Sequence, residues 1–189
     1  MSYNSTPCPR PRRSIRLPDF DYGSPGAYFV TICSDHTAAL FVEEDVRSIV
    51  EDIWRAIPAH FPNVKIDAFV IMPNHVHGIL CILEPEGIAN VVARHASPVR
   101  RGREGGVPPR SLGAIVGSFK SSVARQANEL RGTPGLPVWQ TNYYEHVIRD
   151  EDELNRIRRY IEGNPARWAE DPENPERVQR DARRPGGRG

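Results

Sequence analysis

The chain has 189 residues, 25 of them basic and 24 acidic, for a net charge of +1. That length suits one domain with tails, and the near-neutral balance decides nothing about a nucleic-acid partner. No apolar run approaches the roughly 18 residues of a membrane span and the first residues hold no apolar signal core, so a cytoplasmic protein without membrane contact is expected.

The basic residues are unevenly chosen. Only Lys65 and Lys120 are lysine and the other 23 are arginine, whose planar fork grips a phosphate at two points. Cys8, Cys33 and Cys81 have no metal-type spacing and are odd in number, which fits a reducing compartment rather than a disulfide framework.

Residues 1–14, "MSYNSTPCPRPRRS", read as a disordered basic arm, with Arg12 and Arg13 as candidate phosphate contacts. A single folded domain is expected over 15–169. "AYFVTICS" (27–34) reads as a strand. A helix follows, opened by Glu43, Glu44 and Asp45. Val46, Ile49, Val50, Ile53, Trp54 and Ile57 recur in it at helical spacing, and Pro58 and Pro62 bound its end. "VKIDAFVIM" (64–72) and "HVHGILCIL" (75–83) read as two strands of a hairpin with a tight link at Pro73–Asn74. Residues 84–110 are rich in Gly, Pro and Arg without periodicity and are expected to form a flexible loop.

Ser111 can cap a second helix whose buried stripe is Leu112, Ile115, Val116, Phe119 and Val123. Lys120 and Arg125 on that helix are candidate DNA contacts. A fourth strand lies within 138–149, where Tyr143, Tyr144 and Trp139 offer rings on which bases could stack. Asp150 caps a last helix with a core face of Leu154, Ile157 and Ile161. Residues 170–189 are expected to be a disordered tail. The order strand, helix, strand, strand, helix, strand implies an α+β fold of the ferredoxin-like split βαβ type. Its four-stranded antiparallel sheet carries helices on one face, and the C-terminal helix is an addition.

The hairpin raises the chemical question. Residues i and i+2 of a strand share a face, so His75 and His77 project together and can converge on one ion. Spacing alone more often describes two histidines held by ordinary hydrogen bonds. A third donor is needed. On the last helix Tyr160 and Asn164 stand four apart and share a side. An Asn oxygen can bind Mg²⁺ or Mn²⁺, and a tyrosine beside such an ion can attack a phosphate. On the helix pattern alone, Tyr160 better fits the edge of a core stripe and Asn164 a helix stop before Pro165.

Four stretches taken together carry more. These are "SIRLPDFDY…AYFVTIC", "DAFVIMPNHVHGIL", "LGAIVGSFK" and "VWQTNYYEHVIRDEDELNRIRRYIEGNPARW". In this order they resemble the REP-associated tyrosine transposases, a branch of the single-tyrosine HUH transposases. The resemblance runs from Ser14 to Trp168, omitting 84–110. It implies a metal-dependent endonuclease and strand transferase of single-stranded, hairpin-bearing DNA that acts through a 5′-phosphotyrosine in DNA transposition or recombination. It assigns His75 and His77 to one Mg²⁺ or Mn²⁺ ion and, through "YIEGNP", Tyr160 to the nucleophile. Asn164 matches the position of a polar third ligand. The short link at Arg149–Asp150 implies an active site built within one chain, in a monomer or weak homodimer. Two rivals remain: a hairpin DNA or RNA binding module without catalysis, and a metal-dependent phosphohydrolase using water.

Overall fold

The structure is a computed structural model and describes residues 20–35, 38–84, 111–171 and 173–177. The arm with Arg12 and Arg13, the 85–110 stretch and the last residues lie outside it. Four strands, β1 (Gly26–Cys33), β2 (Val64–Ile71), β3 (His75–Ile82) and β4 (Tyr144–Ile148), make one sheet in the order β2-β3-β1-β4. All neighbouring pairs are antiparallel. This is the expected ferredoxin-like α+β fold.

Strand alternation sorts β1 into two sets. Tyr28, Val30 and Ile32 enter a large core with Val76, Leu80 and Ile82 of β3, under helices α1 (Glu44–Arg55) and α3 (Leu112–Arg131). Phe29 turns to the other face, with Ile79 of β3. In α1, Val46, Val50 and Trp54 recur every four residues and are fully buried. Trp54 lies so close to β3 that a Cβ at Gly78 would stand 2.2 Å from its Cζ2 atom. Glycine at 78 is therefore what lets α1 reach the sheet. The chain breaks at Ala56 and resumes as the short α2 (Ile57–His60), which has Pro58 in its first turn. The Ser111 side chain accepts from the Ala114 amide at the start of α3, and Gly132 ends that helix with φ of 62°.

Helix α4 (Glu151–Gly163) crosses the opposite face. Its core stripe, Leu154, Ile157 and Ile161, packs with Phe29, Ile79 and Ile148. The Asp150 side chain accepts from the Glu153 amide at 2.8 Å and caps it. Arg158 fastens it to β2 by a two-point bond to Asp67, at 2.7 and 2.6 Å. The expectation of helices on one face thus holds for α1 and α3, while α4 covers the other. The β2–β3 register shifts between Ile66 and Phe69, and β2 and β4 form the sheet's edges. The tail expected to be loose from residue 170 begins with packed residues: Asp171 and Asn174 are buried.

Candidate metal centre and tyrosine

On β3, His75 and His77 face α4, opposite Cys33 and Thr31 of β1. Both are buried, at 0% and 3% exposure. Their Nε2 atoms lie 2.9 Å apart. Each ring is set from behind. Thr31 Oγ1 stands 2.8 Å from His77 Nδ1, and Asn74 Oδ1 stands 2.8 Å from His75 Nδ1. The Asn74 amide can face only one way, because its Nδ2 donates to the Glu173 carbonyl at 2.7 Å. Its Oδ1 therefore accepts from His75 Nδ1–H, which leaves the His75 Nε2 lone pair directed at His77.

Two imidazole nitrogens this close need a proton or a cation between them. Cis donors of an ion bound at about 2.1 Å lie roughly 3 Å apart, so the pair is spaced to share one divalent ion. Among the described residues, a carboxylate completes a possible metal cluster. Asp171 comes to 3.9 Å from His75 Nε2 through Oδ2, and ligand atoms of His75, His77 and Asp171 all lie within 4.8 Å of one another. The buried histidines, oriented Nδ1 atoms and anionic third donor are the chemistry a divalent ion requires.

Tyr160 meets this cluster from α4. Its hydroxyl oxygen lies 3.2 Å from His77 Nε2, its ring borders those of His77 and Phe29, and it is 38% exposed. Beside it opens a cavity of about 340 Å³ walled by Phe29, Tyr144, His146, Glu153, Arg156 and Ile157. His146 Nε2 bonds Glu153 at 2.8 Å. The Arg149 amide, and then His146, hold the Glu153 carboxyl below its ordinary pKa.

The other expected residues separate. Tyr144 joins the tyrosine face, whereas Tyr143 packs against the α1–α3 core. Lys120 and Arg125 stand on α3, behind the sheet from Tyr160. The Lys120 ammonium donates to the Gln140 and Thr141 carbonyls at 2.6 and 2.9 Å, a structural clamp, and burial lowers its pKa. Arg125 lines a separate cavity with Asn128 and Leu136. Asn164 is buried at the C-terminal end of α4. Asp171 was not among the expected residues. It lies in a Pro-rich, charged stretch that reads as tail, and no local pattern marks it.

The chain is 40% identical over 174 residues to an uncharacterized protein of Haemophilus influenzae, spanning 85% of this chain and 91% of that one. It belongs to the same family as that protein. No family model matches the sequence. Among solved structures, a REP-associated tyrosine transposase bound to a REP hairpin superposes with a TM-score of 0.56 at 16% identity, over 83% of this chain and 74% of that one. The fold of this chain is thus similar to that of this transposase. No helix among the described residues is long and apolar enough to cross a membrane.

Proposed function

We propose that this chain is a divalent-metal-dependent endonuclease and strand transferase of single-stranded, hairpin-bearing DNA, working through Tyr160 in DNA transposition or recombination. The observation that carries the reading is the meeting of the Tyr160 hydroxyl with His77 Nε2 at 3.2 Å, beside the 2.9 Å pair of imidazoles. His75 and His77 would hold Mg²⁺ or Mn²⁺ with a third donor from Asn164 or Asp171. When bound, the ion supplies positive charge to the non-bridging oxygens of a phosphate.

The protein's own residues perform the rest. His77 and Phe29 hold the Tyr160 ring so that its oxygen sits at the rim of the centre. That oxygen attacks phosphorus. The Oη–P bond forms as the P–O3′ bond breaks, and the departing 3′ oxygen takes up a proton. The hydroxyl's own proton leaves toward solvent, to which the side chain is open. A 3′-OH attacking the phosphotyrosine reverses the exchange or joins a new strand, because the bond energy is conserved. The cavity beside Tyr160 suits an unpaired base: Phe29 and Tyr144 offer rings, and Arg156 a cation for the backbone. The hairpin held by the transposase of like fold supports a hairpin substrate. A nucleophile and histidines contributed by one chain support a site that needs no second copy.

The test is a covalent-adduct assay with Mn²⁺ and hairpin DNA labelled at its 3′ end. Wild type is expected to give a labelled protein band. Tyr160→Phe is expected to reduce it on the order of 10³-fold or more while still binding DNA. Cut DNA without an adduct would replace this reading with hydrolysis by water, and binding without cutting would replace it with a recognition module.

A further inference from the structure

The third donor decides what this centre depends on. Resemblance alone points to Asn164 on α4, but the described carboxylate nearest the histidines belongs to a turn beyond that helix. Asp171 is buried, at 4% exposure. Its Oδ1 accepts from the Glu173 amide at 2.7 Å, which steadies the side chain while Oδ2 faces His75 at 3.9 Å. The turn is tied in turn. Asn174 Nδ2 donates to the Trp168 carbonyl at 2.9 Å, its Oδ1 accepts from the Glu176 amide at 2.9 Å, and the Trp168 ring borders His75.

The same turn acts on the far side of His75. The Glu173 carbonyl fixes the Asn74 amide from 99 residues away, and Asn74 fixes the His75 tautomer. Cys33 Sγ adds a contact to Glu173 at 3.5 Å. Asp171 and Glu173 therefore bear on both nitrogens of His75: Asp171 Oδ2 stands 3.9 Å from Nε2, and Glu173 acts on Nδ1 through Asn74.

We infer that Asp171, not Asn164, is the third donor of the metal centre, that Asn74 is its positioning residue, and that metal binding and docking of segment 168–176 form a single equilibrium. This rests on the metal-centre reading above. The physical reason is linkage: an ion bound only where Asp171 is docked stabilises the docked state in proportion to its occupancy. Asn164, one turn past Tyr160, ends α4 and carries the chain into that segment.

Mn²⁺ alone, titrated into the full chain and followed by calorimetry and backbone hydrogen exchange, tests this without any activity. Asp171→Asn keeps size and the bond to Glu173 but removes the charge. It is expected to weaken Mn²⁺ binding at least tenfold and to abolish the Mn²⁺-induced protection of amides around 168–176. Asn164→Ala should leave Mn²⁺ affinity within about threefold. Asn74→Leu should weaken binding at least tenfold and shift the His75 ring-nitrogen resonances from the Nδ1–H pattern, a change that loss of stability alone would not produce. Loss of affinity in Asn164→Ala with none in Asp171→Asn would overturn the assignment. Tighter Mn²⁺ binding by Asp171→Asn would make the segment a plug over the site and would overturn it too. A wild-type chain that takes up no Mn²⁺ would instead defeat the metal reading itself, while wild-type binding without protection of 168–176 would defeat only the coupling.

Discussion

The two faces of the sheet spend their residues differently. The face under α1 and α3 buries a broad aliphatic and aromatic core that includes Trp54, Phe119, Val30 and Leu80. The face under α4 has a smaller apolar cluster built on Phe29, Ile79, Ile148 and Ile161, and also carries His75, His77 and Thr31, which Tyr160 approaches from α4. Burial of apolar area is the main source of folding free energy, so the first face holds the fold and the second is released from that duty. Besides its packing on that smaller apolar cluster, the Asp67–Arg158 fork ties α4 to β2 and the Glu153–His146 bond ties it to β4, while the Asp150 side chain caps its start. A helix seated on a smaller core and oriented by directional bonds can be disturbed locally without unfolding the domain.

Substitutions sharpen that contrast. The largest effect on stability is expected from Trp54→Ala, which empties the space above Gly78 and should lower unfolding free energy by about 3–5 kcal/mol in urea denaturation. Enlarging the hole's partner, as Gly78→Ala, would act through overlap with Trp54 instead. A loss below about 1 kcal/mol for Trp54→Ala would mean that the α1 face does not carry the fold.

The helix caps make a matched pair of intermediate size. Ser111→Ala and Asp150→Ala each remove a side chain that accepts from an amide three residues on. Each should cost about 1 kcal/mol or slightly more. Only Asp150→Ala should slow adduct formation, because α4 carries Tyr160. Equal adduct rates in the two variants would erase the functional difference between the faces.

The smallest effect is expected from Asp67→Asn, and it depends on pH. The hydrogen bond from Arg158 holds the Asp67 carboxyl below its ordinary value of 3.8. A carboxyl so depressed stabilises the fold above the ordinary carboxylate range, and that contribution is lost as pH falls through its folded pKa. Asp67→Asn should therefore be less stable than wild type at pH 7 and nearly equal to it near the acid end. The part-exposed pair is screened, so high salt should narrow the difference at pH 7. A gap that persists in acid would assign the Asp67 effect to packing.

Some of this was legible from residues alone. Strand alternation at 75–77 and helical spacing at 154–161 are local signals, and they give the facing imidazoles and the inward stripe of α4. The N-caps Ser111 and Asp150 were equally readable. The face of α4 was readable only indirectly: the other helices leave one sheet face free, His75 and His77 lie on it, and a Tyr160 that serves them brings α4 there. Lys120 was expected as a DNA contact from its place on the second helix. Its capture by the Gln140 and Thr141 carbonyls depends on the path of a loop twenty residues on. Asp171 was hidden for a similar reason: its partner His75 is distant in sequence, and its neighbours, Pro and Glu, have the composition of a tail.

The shift in the β2–β3 ladder between Ile66 and Phe69 has a consequence for how copies of this protein behave at high concentration. A sheet with two outer strands offers two rows of backbone donors and acceptors to any passing chain, the geometry from which fibrils grow. On the β2 side the irregularity breaks that row midway and increases local twist, while Lys65 and the Arg158-bound Asp67 line the same stretch with charge. On the other side β4 is only five residues long. An incoming strand could form no long, flat ladder on either border. The solubility of a half-polar sheet is thereby protected at its margins.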